Sequence, residues 1–253
     1  MSRFEFYNND GLRIDGRRSN ELKNFESSIT TTSNFANFSR NTSTNTTYLQ
    51  MGQNKVLVTI NGPKEPTNRT KIDSNKATLS TNINISKFSK VNRNTNKSNL
   101  PDKQTLEWEY EITQLFSTIV VLETYPKSTI SINVTVLQQD GGVLSAIINC
   151  ITIALINNSI QIYDIITAVS IGIVDQKHFL LDLNHLEEQF LSSGTIATVG
   201  GGDQVSLLRI RDKFPLDLIE EFMQVGLQGC SVLKEIITKQ VKDMNLNKLV
   251  EIQ

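Results

Sequence analysis

A chain of 253 residues that is 38% hydrophobic has material for one large domain or two fused small ones, and a formal charge of −1 excludes any whole-molecule argument for a polyanionic partner. Nine Lys and Arg against three acids nevertheless give +6 over residues 64–103 and leave −7 elsewhere, a weak pointer to a polyanion contact set against the plain reading of a solvated basic loop. Two cysteines, Cys150 and Cys230, with no C-x-x-C partner suggest neither a disulfide framework nor a zinc site and read as small core residues of a reduced compartment.

The N-terminus, MSRFEFYNNDG, carries charges where a signal peptide needs an apolar run. Residues 1–24 form a polar arm with a turn at Asp15-Gly16-Arg17-Arg18, and residues 34–47 are so rich in Asn, Thr and Ser that they read as an exposed loop. Tyr48 to Met51 and Lys55 to Ile60 are strand-like runs joined through Gly52-Gln53-Asn54, with Asn61-Gly62-Pro63 closing the second. Ala77 to Ile85 alternates as another strand, followed by an Asn-rich loop at residues 92–99. Pro101-Asp102 starts a helix whose apolar face is Leu106, Trp108, Ile112, Leu115, Phe116 and Ile119.

Next comes the stretch from Thr129 to Ile160. Ile130, Ile132, Val134 and Val136 recur at the period of a half-buried strand, Asp140-Gly141-Gly142 interrupts, and Val143 to Leu155 is an almost wholly apolar helix. This helix falls short of the ~20 residues needed to cross a bilayer, so the expectation is a soluble intracellular protein without a membrane partner. A strand feeding a helix through a glycine turn is a place where phosphate binds, because the first N–H groups of a helix are unpaired. Residues Ile165 to Val174 and Phe179 to Leu181 read as strands, Asn184 to Phe190 as a short acidic turn or helix, and Thr195 to Val199 with Val205 to Ile210 as a hairpin across Gly200-Gly201-Gly202. Pro215 opens a long helix, in which Gly226 and Gly229 mark a close approach by another element. Strands followed by helices, twice over, predict an α+β architecture. His178 and His185 are the only histidines, and neither G-x-S-x-G nor H-E-x-x-H occurs.

In order and spacing, Asp15-Gly16-Arg17-Arg18 with Glu21-Leu22, Gly52-Gln53-Asn54-Lys55-Val56, Gly62-Pro63-Lys64-Glu65, Tyr125-Pro126, Leu137-Gln138-Gln139-Asp140-Gly141-Gly142, and Leu181-Asp182-Leu183-Asn184 with Glu187-Glu188 resemble the RNase PH family over nearly the whole chain. Within that family they are similar to the eukaryotic RNA exosome subunit that corresponds to the catalytic-type subunit of the archaeal exosome. The resemblance implies a β-α-β-α fold of the ribosomal protein S5 domain 2-like kind, a single domain (1–253) of two similar halves. It also implies a six-membered ring of RNase PH-like subunits with RNA threaded through it, cap subunits, and a downstream nuclease.

Phosphorolytic members use guanidinium and helix-terminus donors to hold phosphate beside an already anionic RNA backbone, and carboxylates to bind a divalent metal or manage protons. Their turn resembles Asp-Ala-Gly-(Ser/Thr)-Arg; here it is Asp140, Gly141, Gly142, Val143 and Leu144, so both polar side chains are aliphatic and only backbone donors and Ser145 remain. Asp140 is then expected to act as a helix N-cap. Asp182 matches the family's first acid, while the second position holds Glu188 rather than Asp, one methylene longer. Glu187 and Glu188 otherwise read as an exposed face.

For RNA contact the resemblance puts Arg69 and Lys71 near the channel entrance and aligns Lys103-Gln104 with an Arg-Arg pair that grips the backbone in archaeal relatives; such contacts bind without reading sequence. The expectation is a catalytically silent exosome ring subunit of nucleus, nucleolus and cytoplasm. It would line the channel for rRNA maturation and mRNA turnover, with no cofactor, no metal, no DNA partner, and Asp140, Val143, Leu144, Asp182 and Glu188 vestigial. The alternatives are a residual phosphate-dependent 3'-5' exoribonuclease active only when paired, with Asp182 and Glu188 holding the metal, and a free-standing RNA-binding protein.

Overall fold

The computed structural model describes residues 11–31, 45–66, 74–90, 102–174, 178–202 and 204–251. The chain divides into two compact units, one of residues 25–139 and 147–165, the other of residues 1–24, 140–146 and 166–253.

In the first unit, β1 (Phe25–Thr31), β2 (Asn45–Met51), β3 (Asn54–Lys64), β4 (Thr78–Ile85) and β5 (Thr129–Gln138) form a sheet of order β1-β2-β3-β5-β4, antiparallel except for the β4–β5 pair. The alternating sequence dictates which face is covered: Val56, Val58 and Ile60 pair with Val136, Val134 and Ile132, and all six are buried. At about 1.5–3 kcal/mol for each fully buried aliphatic side chain, this stripe is a large contribution to the unit's stability. Helix α1 (Lys103–Ile119) packs beside β4 through Trp108, Ile112, Leu115, Phe116 and Ile119, whereas Leu106 of the predicted face is exposed. Its Glu109 carboxylate accepts the Ile83 N–H at 2.7 Å, satisfying a donor on the sheet's edge strand. From Ile147 onward, α2 (Val143–Asn157) lies over β2 and β3, with Cys150 Sγ 3.8 Å from the carbonyls of Thr47 and Val56.

Three local expectations change. Thr46 and Thr47 are buried in β2, because pairing with Thr59 and Val58 supplies the ladder bonds that composition alone hides; the expected 34–47 loop therefore does not extend past residue 44. The rest of it, and residues 92–99, lie outside the described residues. β3 does not close at Asn61 but runs to Lys64 through a register shift between Asn61 and Lys64. β1, FESSITT, carries too few apolar residues to announce itself and is held as an edge by β2.

In the second unit, β6 (Ile166–Val174), β7 (His178–Leu181), β8 (Ser192–Val199) and β9 (Val205–Ile210) form an antiparallel sheet of order β7-β6-β8-β9, with α3 (His185–Phe190) between β7 and β8. β6 is buried along its whole length, Thr167 and Ser170 included. A 3-10 turn, Leu216–Leu218, separates Pro215 from α4 (Ile219–Glu251), which packs on β6, β7 and β8 through Phe222, Cys230, Leu233 and Ile237. A Cβ on Gly226 would lie 2.6 Å from Ile196 and 2.7 Å from Ile171, so the close approach expected there is present. Both thiols are free and buried, and burial pushes both up in pKa, which makes them inert core groups. Among the described residues no helix is long and apolar enough to cross a membrane.

Candidate functional site

The glycine turn and the paired acids fall together in the unit of residues 1–24, 140–146 and 166–253. β7 delivers Asp182 into a left-handed turn (φ 55°), a conformation that Asp tolerates better than most residues, and its N–H donates to Ser170 O at 2.7 Å. The Asp182 side chain is fully buried against Lys23. The Lys23 backbone N–H donates to Asp182 Oδ2 at 2.9 Å, and Lys23 Nζ lies 3.8 Å from Asp182 Oδ1. The same ammonium donates to the carbonyls of Asp140 (2.7 Å) and Leu183 (2.8 Å) and lies 3.8 Å from Asp140 Oδ2. Burial pushes the Asp182 carboxyl above its ordinary pKa, with Lys23 opposing; burial pulls Lys23 down, with Asp182 and Asp140 opposing. Asp182 Oδ1 accepts no hydrogen bond.

A second buried cation sits beside this pair. Arg13 is bidentate to Glu187, with Nε 2.9 Å from Oε1 and NH2 paired with Oε2, and donates to Leu181 O at 2.5 Å and Asp182 O at 3.1 Å. Arg17 donates to Asp182 O at 3.1 Å and to Asp15 Oδ2 at 3.0 Å. Asn184 caps α3 in a capping box with Glu187, whose Oε2 accepts the Asn184 N–H at 2.9 Å.

The turn packs against this cluster. Gly141 (φ 70°) and Gly142 (φ 61°) adopt backbone that favours glycine, and Cβ atoms there would lie 2.5 Å from Asn184 C and 2.5 Å from Ser170 Oγ. Helix α2 begins at Val143, which places Asp140 two residues ahead of the capping position; its Oδ1 accepts the His185 N–H at 3.4 Å. Glu188 Oε2 accepts the Gly142 N–H at 3.0 Å, and Glu188 Oε1 pairs with Arg211 at 3.3 Å. Ser145, in the first turn of α2, is buried and donates to Gly142 O at 2.7 Å. Val143 and Leu144 are buried.

Asp140, Val143, Leu144, Asp182 and Glu188 thus share one unit. Glu187 is not on an exposed face: its carboxylate is spent on Arg13 and the α3 cap. The arm of residues 1–24 contributes two buried cations, Arg13 and Lys23, which sequence reasoning missed because their partners lie 174 and 159 residues away. The Asn184-x-x-Glu187 spacing is a legible capping-box signal that turns Glu187 back toward the helix start. Lys103 opens α1 in the other unit and is exposed, while Arg69 and Lys71 lie outside the described residues.

The donors do not fit a divalent metal shared by the two acids. Asp182 faces an ammonium and Glu188 faces a backbone N–H and a guanidinium, and among the described residues no group of three or more His, Cys, Asp or Glu is placed to hold an ion.

Residues 40–161 match domain 1 of the 3' exoribonuclease family, RNase PH, and residues 164–229 match its domain 2. The exosome complex component SKI6 of Saccharomyces cerevisiae is 39% identical over 242 residues, covering 96% of this chain and 95% of the relative. The ski6 component of Schizosaccharomyces pombe is 33% identical over 229 residues, 90% of each chain. Among solved structures, rice (Oryza sativa) Rrp46 superposes with a TM-score of 0.76 at 21% identity, covering 91% of this chain and 100% of that one, a likeness of fold.

Proposed function

The chain belongs to the RNase PH family of 3' exoribonucleases, and on that footing we propose that it is a non-catalytic ring subunit of the RNA exosome. It lines the RNA channel beside other RNase PH-like subunits, under cap subunits and above a downstream nuclease, as one RNase PH-like domain. It serves 3'-5' rRNA maturation and mRNA turnover in nucleus, nucleolus and cytoplasm. The exosome components among its relatives support the assembly.

One observation carries the silent reading: the Gly142 N–H and the Asp182 carboxylate, which phosphorolysis would use, already face charged partners within the chain. An incoming phosphate needs helix-start donors and a guanidinium, and here the Gly142 N–H is held by the Glu188 carboxylate while the next two side chains are Val143 and Leu144. Phosphate would have to displace an anion from that donor and then meet aliphatic carbon; each charged hydrogen bond forgone is worth about 1.5–3 kcal/mol before any transition-state role. Asp182, the family's first acid, is sealed against Lys23.

The rival reading, residual phosphorolysis in a subunit pair, has one observation in its favour, the Asp182 Oδ1 that accepts no hydrogen bond. Incubating the purified subunit, and its pair with a neighbouring subunit, with RNA and inorganic phosphate separates the two. The silent reading expects no nucleoside diphosphates, and their phosphate-dependent release would overturn it.

A further inference from the structure

The turn after β4, residues 86–90, carries an exposed aromatic ring that stacks on no other ring among the described residues. Phe88 is 64% exposed, in the sequence Ser86-Lys87-Phe88-Ser89-Lys90. The turn is fixed by its backbone: Ser89 N–H donates to Ser86 O at 2.9 Å, Ser86 N–H to Val136 O at 3.1 Å, and Gln139 N–H to Ser89 O at 3.2 Å. Two of these bonds tie it to the end of β5, one residue before Asp140 in the chain. A ring held out on a pinned turn incurs little ordering cost when it meets a ligand.

The flanking sequence selects the ligand. No Asp or Glu occurs between residues 74 and 101, which hold Lys76, Lys87, Lys90, Arg93 and Lys97. The other residues of the turn are Ser and Lys, and lysine is depleted from the cores of protein interfaces. An exposed aromatic face with cations on either side is the composition that binds single strands, where a base stacks on the ring and phosphates lie against the ammonium groups. Resting on the RNA-channel reading above, the geometry points to the 86–90 turn as a stacking contact for one base of single-stranded RNA, with Phe88 under the base and Lys87 and Lys90 at the flanking phosphates. Every base has a face to stack, so the contact is tolerant of sequence and blind to duplex RNA.

The test uses the reconstituted assembly and fluorescently labelled oligouridine and oligoadenine strands, with a blunt RNA duplex as control. Phe88→Ala is expected to weaken binding of both single strands by roughly 5-fold or more, to leave duplex binding unchanged, and to be rescued by Phe88→Trp. Lys87→Ala with Lys90→Ala is expected to flatten the dependence of log affinity on log salt by about 0.7 for each phosphate that is no longer neutralised, a slope that Phe88→Ala leaves alone. Unchanged single-strand affinity in an intact Phe88→Ala assembly overturns the proposal. So does an assembly that loses this subunit on Phe88→Ala, which would make the turn a protein contact. Photo-crosslinking of RNA to the wild-type assembly separates this failure from that of the channel reading: crosslinks elsewhere on this chain with an inert Phe88 refute the platform alone, and RNA that bypasses this chain refutes both.

Discussion

Lys23→Met is the sharpest structural perturbation available, because it removes one member of a buried pair while keeping the side chain's length. The ammonium donates to the carbonyls of Asp140 and Leu183 and stands 3.8 Å from Asp182 Oδ1, and the Lys23 side chain is 4% exposed. Its loss leaves two acceptors short of a donor and Asp182 buried without its main counter-charge, with Arg13 and Arg17 as weaker ones. Relief from desolvating the ammonium offsets part of this, and breaking a buried pair from one side costs about 3–5 kcal/mol net. The double variant Lys23→Met with Asp182→Asn removes the stranded charge as well and should recover more than half of the loss. Urea unfolding followed by circular dichroism reads both, as a lowered midpoint at unchanged slope. A cost below about 1 kcal/mol for Lys23→Met, or a double variant worse than the single one, would refute the account of the pair.

The same pair sets a pH signature. Asp182 is raised by burial, so its stabilising contribution is complete below the ordinary value of 3.8 and is lost as pH rises through the folded value. Lys23 is lowered by burial, so its contribution grows as pH climbs from its folded value toward 10.5. The stability of wild type minus that of Asp182→Asn should therefore decline as pH rises above 3.8, and a rising difference would contradict the burial argument. Gly142→Ala places a methyl 2.5 Å from Ser170 Oγ at positive φ and should cost about 1–3 kcal/mol in chemical unfolding; a neutral result would show that the turn relaxes freely. Glu188→Ala frees the Gly142 N–H and should cost about 0.5–2 kcal/mol, as removal of a helix cap does, without altering RNA decay by the assembly. Charge reversal at Arg69, Lys71 and Lys103 should weaken RNA passage to a downstream nuclease while the subunit stays folded; unchanged protection and decay in the reconstituted assembly would remove these residues from the channel.

The parts of the fold legible in the sequence are those where burial is periodic. Ile130 to Val136, Val143 to Leu155 and Ile166 to Val174 each declare strand or helix because one face, or both, must leave water. β1 and the start of β2 were illegible for the opposite reason: Ser, Thr and Asn become strand there through pairing with Met51 to Asn45 and with Thr59 and Val58, and no local pattern encodes a partner. The site divides the same way. The aliphatic Val143 and Leu144 and the acids Asp182 and Glu188 can be read in place against the family's pattern. That Asp182 meets Lys23, Glu187 meets Arg13 and Glu188 holds Gly142 could not, since each interaction joins residues at least 46 apart in the chain.

If these interactions have replaced catalysis, as proposed above, the chain does not degrade RNA with phosphate. The purified chain and its pair with a neighbouring ring subunit are incubated with 3'-labelled single-stranded RNA, with and without inorganic phosphate, and nucleoside diphosphates are quantified. No release above the phosphate-free control is expected. Release that requires phosphate and is lost on Asp182→Asn would contradict it, and would show that Lys23 and Glu188 yield to substrate.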